Sequence, residues 1–196
     1  GRFVFDDPAT PGVPAPTPLA IDGGAFIVSN TGGGAPGDAA GVFVEAGALV
    51  DVGGGGHSDV NGRVSQGAGG LVAIENQTFQ PVLFATPRAD FGALAPVRTV
   101  VDGTFRGATL TGPLVRRNAR LSAFALTAPQ IALGSPTGDP GSVFVPDALI
   151  EGAGFHTLKL VSNESVLQLS DDLALTLRPD QYQLPLTSRG VLGLAE

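Results

Sequence analysis

The residues that could do chemistry are few and scattered. Gly32, Gly34 and Gly37 keep the G-x-G-x-x-G spacing of a dinucleotide-binding turn. That spacing works only between a strand and a helix whose N-terminus faces the pyrophosphate. Here Ala40 to Val52 reads as strand, so no nucleotide cofactor is expected. The run GGGGHSD, Gly53 to Asp59, approaches the calcium nonapeptide G-G-x-G-x-D, but Ser58 stands where the coordinating Asp belongs and no second copy follows. Calcium needs six or more oxygens, so a flexible Gly-rich corner is expected instead. His57 and His156 are the only imidazoles. Neither has a further ligand at helical or turn spacing, so no metal site is expected. Asp51, Asp59 and several Ser leave a Ser-His-Asp arrangement open, without a G-x-S-x-G elbow, and His57 is expected in a solvent-exposed loop. Asp171 and Asp172 are adjacent, which points them to opposite faces of a strand or fans them out from a turn, poor placement for a glycosidic carboxylate pair. Asp6 and Asp7 lie beside a Pro-rich segment. Asn76-Gln77-Thr78 and Asn163-Glu164-Ser165 match the glycosylation acceptor pattern, but Asn at a strand-ending corner is explained by its bonds to local backbone. No catalytic, cofactor-binding or metal residue is assigned, and no enzymatic activity is expected.

The elements that would have to position any site follow from composition and pattern. Hydrophobic residues make up 43% and charged residues 15% of 196 residues, with 29 Gly and 16 Pro; this is not the profile of a disordered chain. Val, Leu, Ile and Ala dominate, with one Tyr and no Trp, which suits thin repeated core layers better than one core around aromatic anchors. The absence of Cys excludes disulfides, thiolate metal sites and Cys nucleophiles, and is compatible with export in an unfolded state. A net charge of -7 and a single Lys argue against a nucleic-acid partner. The one basic cluster, Arg116, Arg117 and Arg120, reads as a solvated face. No stretch approaches the ~20 apolar residues of a membrane span, and no signal peptide is visible at Gly1. The chain reads as a segment whose targeting information lies elsewhere.

Residues 1–19 are expected to form a Pro-rich extended segment, since each Pro removes a donor and restrains its predecessor. From residue 20 to 196 short apolar runs are closed by Gly, Asn, Asp or Pro, the signature of strands and turns. Alternation at period two recurs and helical periodicity is nearly absent, so the class is all-β. Leu158 and Leu160, Leu167 and Leu169, then Leu173, Leu175 and Leu177 fit three short sides of one coil, with corners at Ser162 to Ser165 and Ser170 to Asp172. One coil cannot bury its inward side chains and must stack on neighbours. A single parallel β-helix (solenoid) domain over 20–196 is therefore predicted, with Gly and Asn taking positive φ at tight corners. Irregular excursions are expected near 77–120, with a small hairpin around VRTVVDGTFRGATL, and near 134–154. The alternative is a β-sandwich, for which Asp22-Gly23, Asn61-Gly62 and Asp102-Gly103 offer hairpin turns.

PGDAAGVFVEAGALVDVGGG (Pro36 to Gly55), VSQGAGGLVAIEN (Val64 to Asn76), LSAFALTAPQIALG (Leu121 to Gly134) and GFHTLKLVSNESVLQLSDDLALTLRP (Gly154 to Pro179) resemble the shaft of filamentous haemagglutinin-like exoproteins of two-partner secretion. The likeness covers roughly 60 to 70% of the chain. It implies a right-handed parallel β-helix, secretion through a partner outer-membrane transporter, a location at the bacterial cell surface, and an adhesive role towards host glycans or surface proteins. The family's amino-terminal secretion domain is not recognisable, which implies an internal or carboxy-proximal segment. Two other functions stay open: a carbohydrate-active β-helix enzyme, such as a polysaccharide lyase or glycosidase, betrayed by an acidic groove, and a transporter-docked secretion module.

Overall fold

A computed structural model describes residues 3–5, 21–30, 41–58, 64–76, 98–108, 110–111, 121–139, 141–171, 173–174 and 182–183. In chain order the strands are β1 (Phe3–Phe5), β2 (Ala25–Asn30), β3 (Gly41–Val44), β4 (Leu49–Asp51), β5 (Gly56–Ser58), β6 (Val64–Gln66), β7 (Leu71–Asn76), β8 (Arg98–Val101) and β9 (Thr104–Arg106). There follow β10 (Leu110–Thr111), β11 (Ala123–Leu133), β12 (Ser142–Val145), the short helix α1 (Asp147–Glu151), β13 (Thr157–Leu169) and β14 (Tyr182–Gln183). The described residues are all-β apart from α1, as the alternating apolar runs predict.

The chain enters one five-stranded sheet with β2, β7, β11, β12 and β13, always in the same direction. β2, β7, β11 and β13 lie side by side and parallel, with Ala25, Leu71, Ala123 and Thr157 in register. In-register parallel neighbours share a face, so the alternation of each strand becomes a stack: Val72 and Ile74, then Phe124 and Leu126, point inward and are buried. β3 pairs parallel with β8 and β4 with β9, so VRTVVDGTFRGATL does not form the expected hairpin. Its Asp102-Gly103 turns the chain between two strands that each find an earlier partner. Val42, Val44, Val101 and Phe105 complete that side of the core. Full burial of such a side chain stabilises the fold by about 1.5–3 kcal/mol.

The corner ahead of this sheet explains a cluster of glycines. The ladder continues through it: Leu71 N donates to the Gly24 carbonyl, Ala123 N to that of Gly70 and Thr157 N to that of Ser122. Only Gly47, Gly134, Gly138 and Gly154 take positive φ among the described glycines. Gly23, Gly67, Gly69 and Gly70 are needed for a different reason than turn conformation. A Cβ at any of them would stand within 2.5 Å of a neighbouring backbone atom.

Pro129 divides β11. Its first half pairs with β7 and its second, Gln130 to Leu133, with β12. The register against β13 shifts between Ala128 and Gln130, where a residue without an N–H interrupts the ladder; the Pro129 carbonyl instead accepts from Ser162 Oγ at 2.7 Å. β13 therefore runs unbroken through the corner expected at Ser162 to Ser165. Leu167 and Leu169 share a face with buried Ile131 and Leu133, yet are 53% and 58% exposed.

Residues 134–154, expected as an irregular excursion, supply a strand of the sheet and part of the core. The return from Leu133 to β12 is parallel and takes eight residues, fewer than the dozen or more such a crossover usually takes. Gly134 and Gly138, both at positive φ, make it tight. Val143, Val145, Leu149 and Ala153 enter the core, and Asp147 sits favourably in the first turn of α1.

One polar column is buried with the apolar ones. Asn30 Nδ2 donates to Asn76 Oδ1 at 2.9 Å, and Asn76 Nδ2 donates to the Arg98 carbonyl at 3.1 Å and to Thr99 Oγ1 at 2.8 Å. Asn76 is fully buried. Asn76→Ala strips these partners without giving them water and is expected to cost about 1–3 kcal/mol in urea unfolding; Ser29→Ala, at an exposed position of β2, is expected to change little.

Candidate functional site

Among the described residues the sequence candidates do not converge on one site. Gly32, Gly34 and Gly37 lie outside the described residues, and the segment after them is β3. The glycines from Gly53 are not a flexible corner. Gly54, Gly55 and Gly56 are buried, Gly55 N donates to the Ile21 carbonyl, Gly67 N to that of Gly55, and a Cβ on Gly54 would stand 2.6 Å from the Ala68 carbonyl oxygen. Asp51 Oδ1 is occupied by Gly53 N at 2.9 Å. His57 is in β5, half-buried between β1 and the antiparallel β6, not in an exposed loop. Asp171 is exposed in a turn; Asp172, Asp6, Asp7, Asp59, Arg116, Arg117 and Arg120 lie outside the described residues. Asn163 is exposed within β13, whereas the burial of Asn76 makes it no glycosylation acceptor. Among the described residues no three His, Cys, Asp or Glu gather as metal ligands.

One pairing resembles part of a catalytic arrangement. Ser122 Oγ lies 3.2 Å from His156 Nδ1 and 3.4 Å from the Gly154 carbonyl. Ser122 is completely buried, however, and a nucleophile that substrate cannot reach does not catalyse. The contact arises from the corner stack, in which Gly24, Gly70, Ser122 and His156 occupy equivalent places one residue ahead of each strand. Burial holds the His156 imidazole below its ordinary value of 6.5. As pH falls the unfolded chain therefore takes up the proton first. This contribution to stability is complete above about 6.5 and is lost progressively below it, down to the lower folded value. Thermal melts from about pH 7 to about pH 5.5 are expected to show that decline, and His156→Gln to flatten it.

The site that the sequence does not announce is a surface groove of about 430 Å³ where β8 and β12 lie side by side. One wall comes from Arg98 to Asp102; the other comes from Ser142, Phe144 and the short return at Pro136 to Asp139. The strands supply rigid walls. The return is braced by its own bonds: Gly141 N donates to Asp139 Oδ1 at 2.8 Å, Ser142 N to the Asp139 carbonyl at 3.0 Å, and Asp139 N to Thr137 Oγ1 at 3.3 Å. Arg98, Asp102 and Asp139 are exposed, Val100 and Phe144 are half-buried, and the Ser142 hydroxyl is buried without a hydrogen-bond partner. The volume falls within the range of small-molecule clefts. Such a surface offers hydrogen bonds of both polarities beside an aromatic ring. It lacks a free, buried carboxyl pair for acid–base chemistry, since both Asp are exposed and Asp139 is engaged by its own loop. The Asp-Gly at Asp102 and the Gly-Asp at Gly138 mark its turns in the sequence, but nothing local shows that they meet.

No helix among the described residues is long and apolar enough to cross a membrane. No family model, no curated protein and no solved structure matches the chain.

Proposed function

We propose that the chain is a length of right-handed parallel β-helix from the shaft of a secreted bacterial surface exoprotein, exported by an outer-membrane transporter and serving attachment. The observation that supports the solenoid reading is the fourfold parallel return of β2, β7, β11 and β13 with Ala25, Leu71, Ala123 and Thr157 in register. A sandwich built of hairpins would pair sequence neighbours antiparallel; among the described strands only β5 and β6 do so. The attachment role rests on the resemblance of the strand-and-corner runs to haemagglutinin-like shafts, which is an analogy of fold and sets the direction of the test.

Beads coated with the chain are expected to attach to erythrocytes or epithelial cells, with excess soluble chain competing the attachment. Beads that attach no better than bare ones contradict the adhesive role. Release of reducing ends or unsaturated sugars from polysaccharides incubated with the chain would instead favour a carbohydrate-active enzyme.

A further inference from the structure

We propose that the groove between β8 and β12 is a non-cleaving binding site for one or two neutral pyranose rings. The walls fit that ligand class in two ways. Phe144 and Val100, which alternate outward from their strands and are half-buried, offer a flat apolar patch of the kind on which the C–H face of a sugar ring rests. Arg98 supplies donors and Asp102 supplies acceptors at the rim, and sugar hydroxyls both donate and accept. Charge decides between neutral and acidic sugars: two exposed carboxylates, Asp102 and Asp139, face one guanidinium, so a sugar carboxylate would meet net repulsion. The groove is also preformed. Ladder-bound strands make its walls and three hydrogen bonds brace the loop, so little ordering cost is left for binding.

The inference deepens the adhesive reading and rests on it for its biological purpose. The test is saturation-transfer NMR of the intact chain against lactose, N,N′-diacetylchitobiose, maltose and mannobiose, with sialyllactose as the acidic comparison. At least one neutral disaccharide is expected to bind. Phe144→Ala and, with less risk to the fold, the exposed-site change Asp102→Asn are each expected to weaken it about tenfold, whereas Lys159→Ala on β13 leaves it unchanged. Failure of all four neutral sugars, preference for sialyllactose, or binding indifferent to both groove variants overturns the proposal. The two readings separate in the bead assay. Attachment that survives Asp102→Asn and Phe144→Ala contradicts the groove assignment but not the adhesive role. Disaccharide binding without attachment does the reverse.

Discussion

Gly70→Ala is expected to lower stability by on the order of 3 kcal/mol, near the upper end for an overpacked interior. The added Cβ would stand 2.2 Å from the Val52 carbonyl oxygen, 2.4 Å from that of Gly24 and 2.7 Å from Val52 Cβ. Two of these are backbone atoms, and the Gly24 carbonyl is held by Leu71 N, so no side chain can swing aside and the corner itself has to open. Since Ala123 N donates to the Gly70 carbonyl, the displacement carries into β11. Gly24 provides the control. It occupies the same place one strand earlier, but a Cβ there meets nothing within 4 Å, so Gly24→Ala is expected to stay within about 0.5 kcal/mol of the parent. Urea unfolding measures both, and a midpoint shift of about 1–2 M for Gly70→Ala is expected at ordinary slopes for small proteins. Equal effects of the two substitutions would mean that the corners are not packed as described.

Phe124→Ala is expected to cost about 3–5 kcal/mol, enough to leave a marginal fold largely unfolded. Phe124 is fully buried at the middle of the stack. Its ring meets Phe105 edge-on at 5.2 Å between centroids and Phe155 at 5.5 Å with a tilt of 59°, so one truncation opens a cavity and removes two aromatic contacts, each adding about 0.5–1.5 kcal/mol. Those partners come from β9 and from the turn after α1, which makes Phe124 the point where the five-stranded sheet, the β4–β9 side and the α1 region are held together. Phe124→Leu keeps most of the volume and is expected to lose less than half as much. Loss of the cooperative transition in the Ala variant alone, read by far-UV circular dichroism during urea titration, separates a core role from a merely sensitive position.

The strands were legible because burial on one face writes itself as period two. GVFV, LVAIEN and the first half of β11 show it directly, and their buried positions are the ones the alternation selects. Partner choice was less so. Asp102-Gly103 has the composition of a hairpin turn, yet β8 and β9 pair with β3 and β4, because a ladder is decided by which strands the corners bring alongside and not by the dipeptide between them. The role of the glycines was half legible. Their density marks corners, but the need at Gly69 and Gly70 is for close backbone approach, which depends on a neighbour far away in sequence. The 134–154 span looked irregular because Gly134, Pro136, Gly138 and Pro140 interrupt it, although SVFV within it has the same inward alternation as the other strands. The groove was not legible at all: Arg98 to Asp102 and Pro136 to Phe144 are ordinary strand and turn residues until β12 is laid beside β8. His156 likewise gains its partner Ser122 only through the stacking of corners.

The central claim is that successive passes of the chain stack in parallel register, and cysteine cross-linking tests it directly because the chain has no native Cys. Parallel neighbours are about 4.8 Å apart, whereas four residues along a strand span about 13 Å. The double variants Ile27→Cys with Ala73→Cys, and Ala73→Cys with Ala125→Cys, are therefore expected to cross-link rapidly with a short bifunctional thiol reagent, while Ala25→Cys with Glu75→Cys is expected to react slowly. Positions 27 and 73 stay opposite each other in either strand sense, so positions 25 and 75 discriminate: fast bridging of 25 and 75 would place β2 and β7 antiparallel and contradict the parallel stacking.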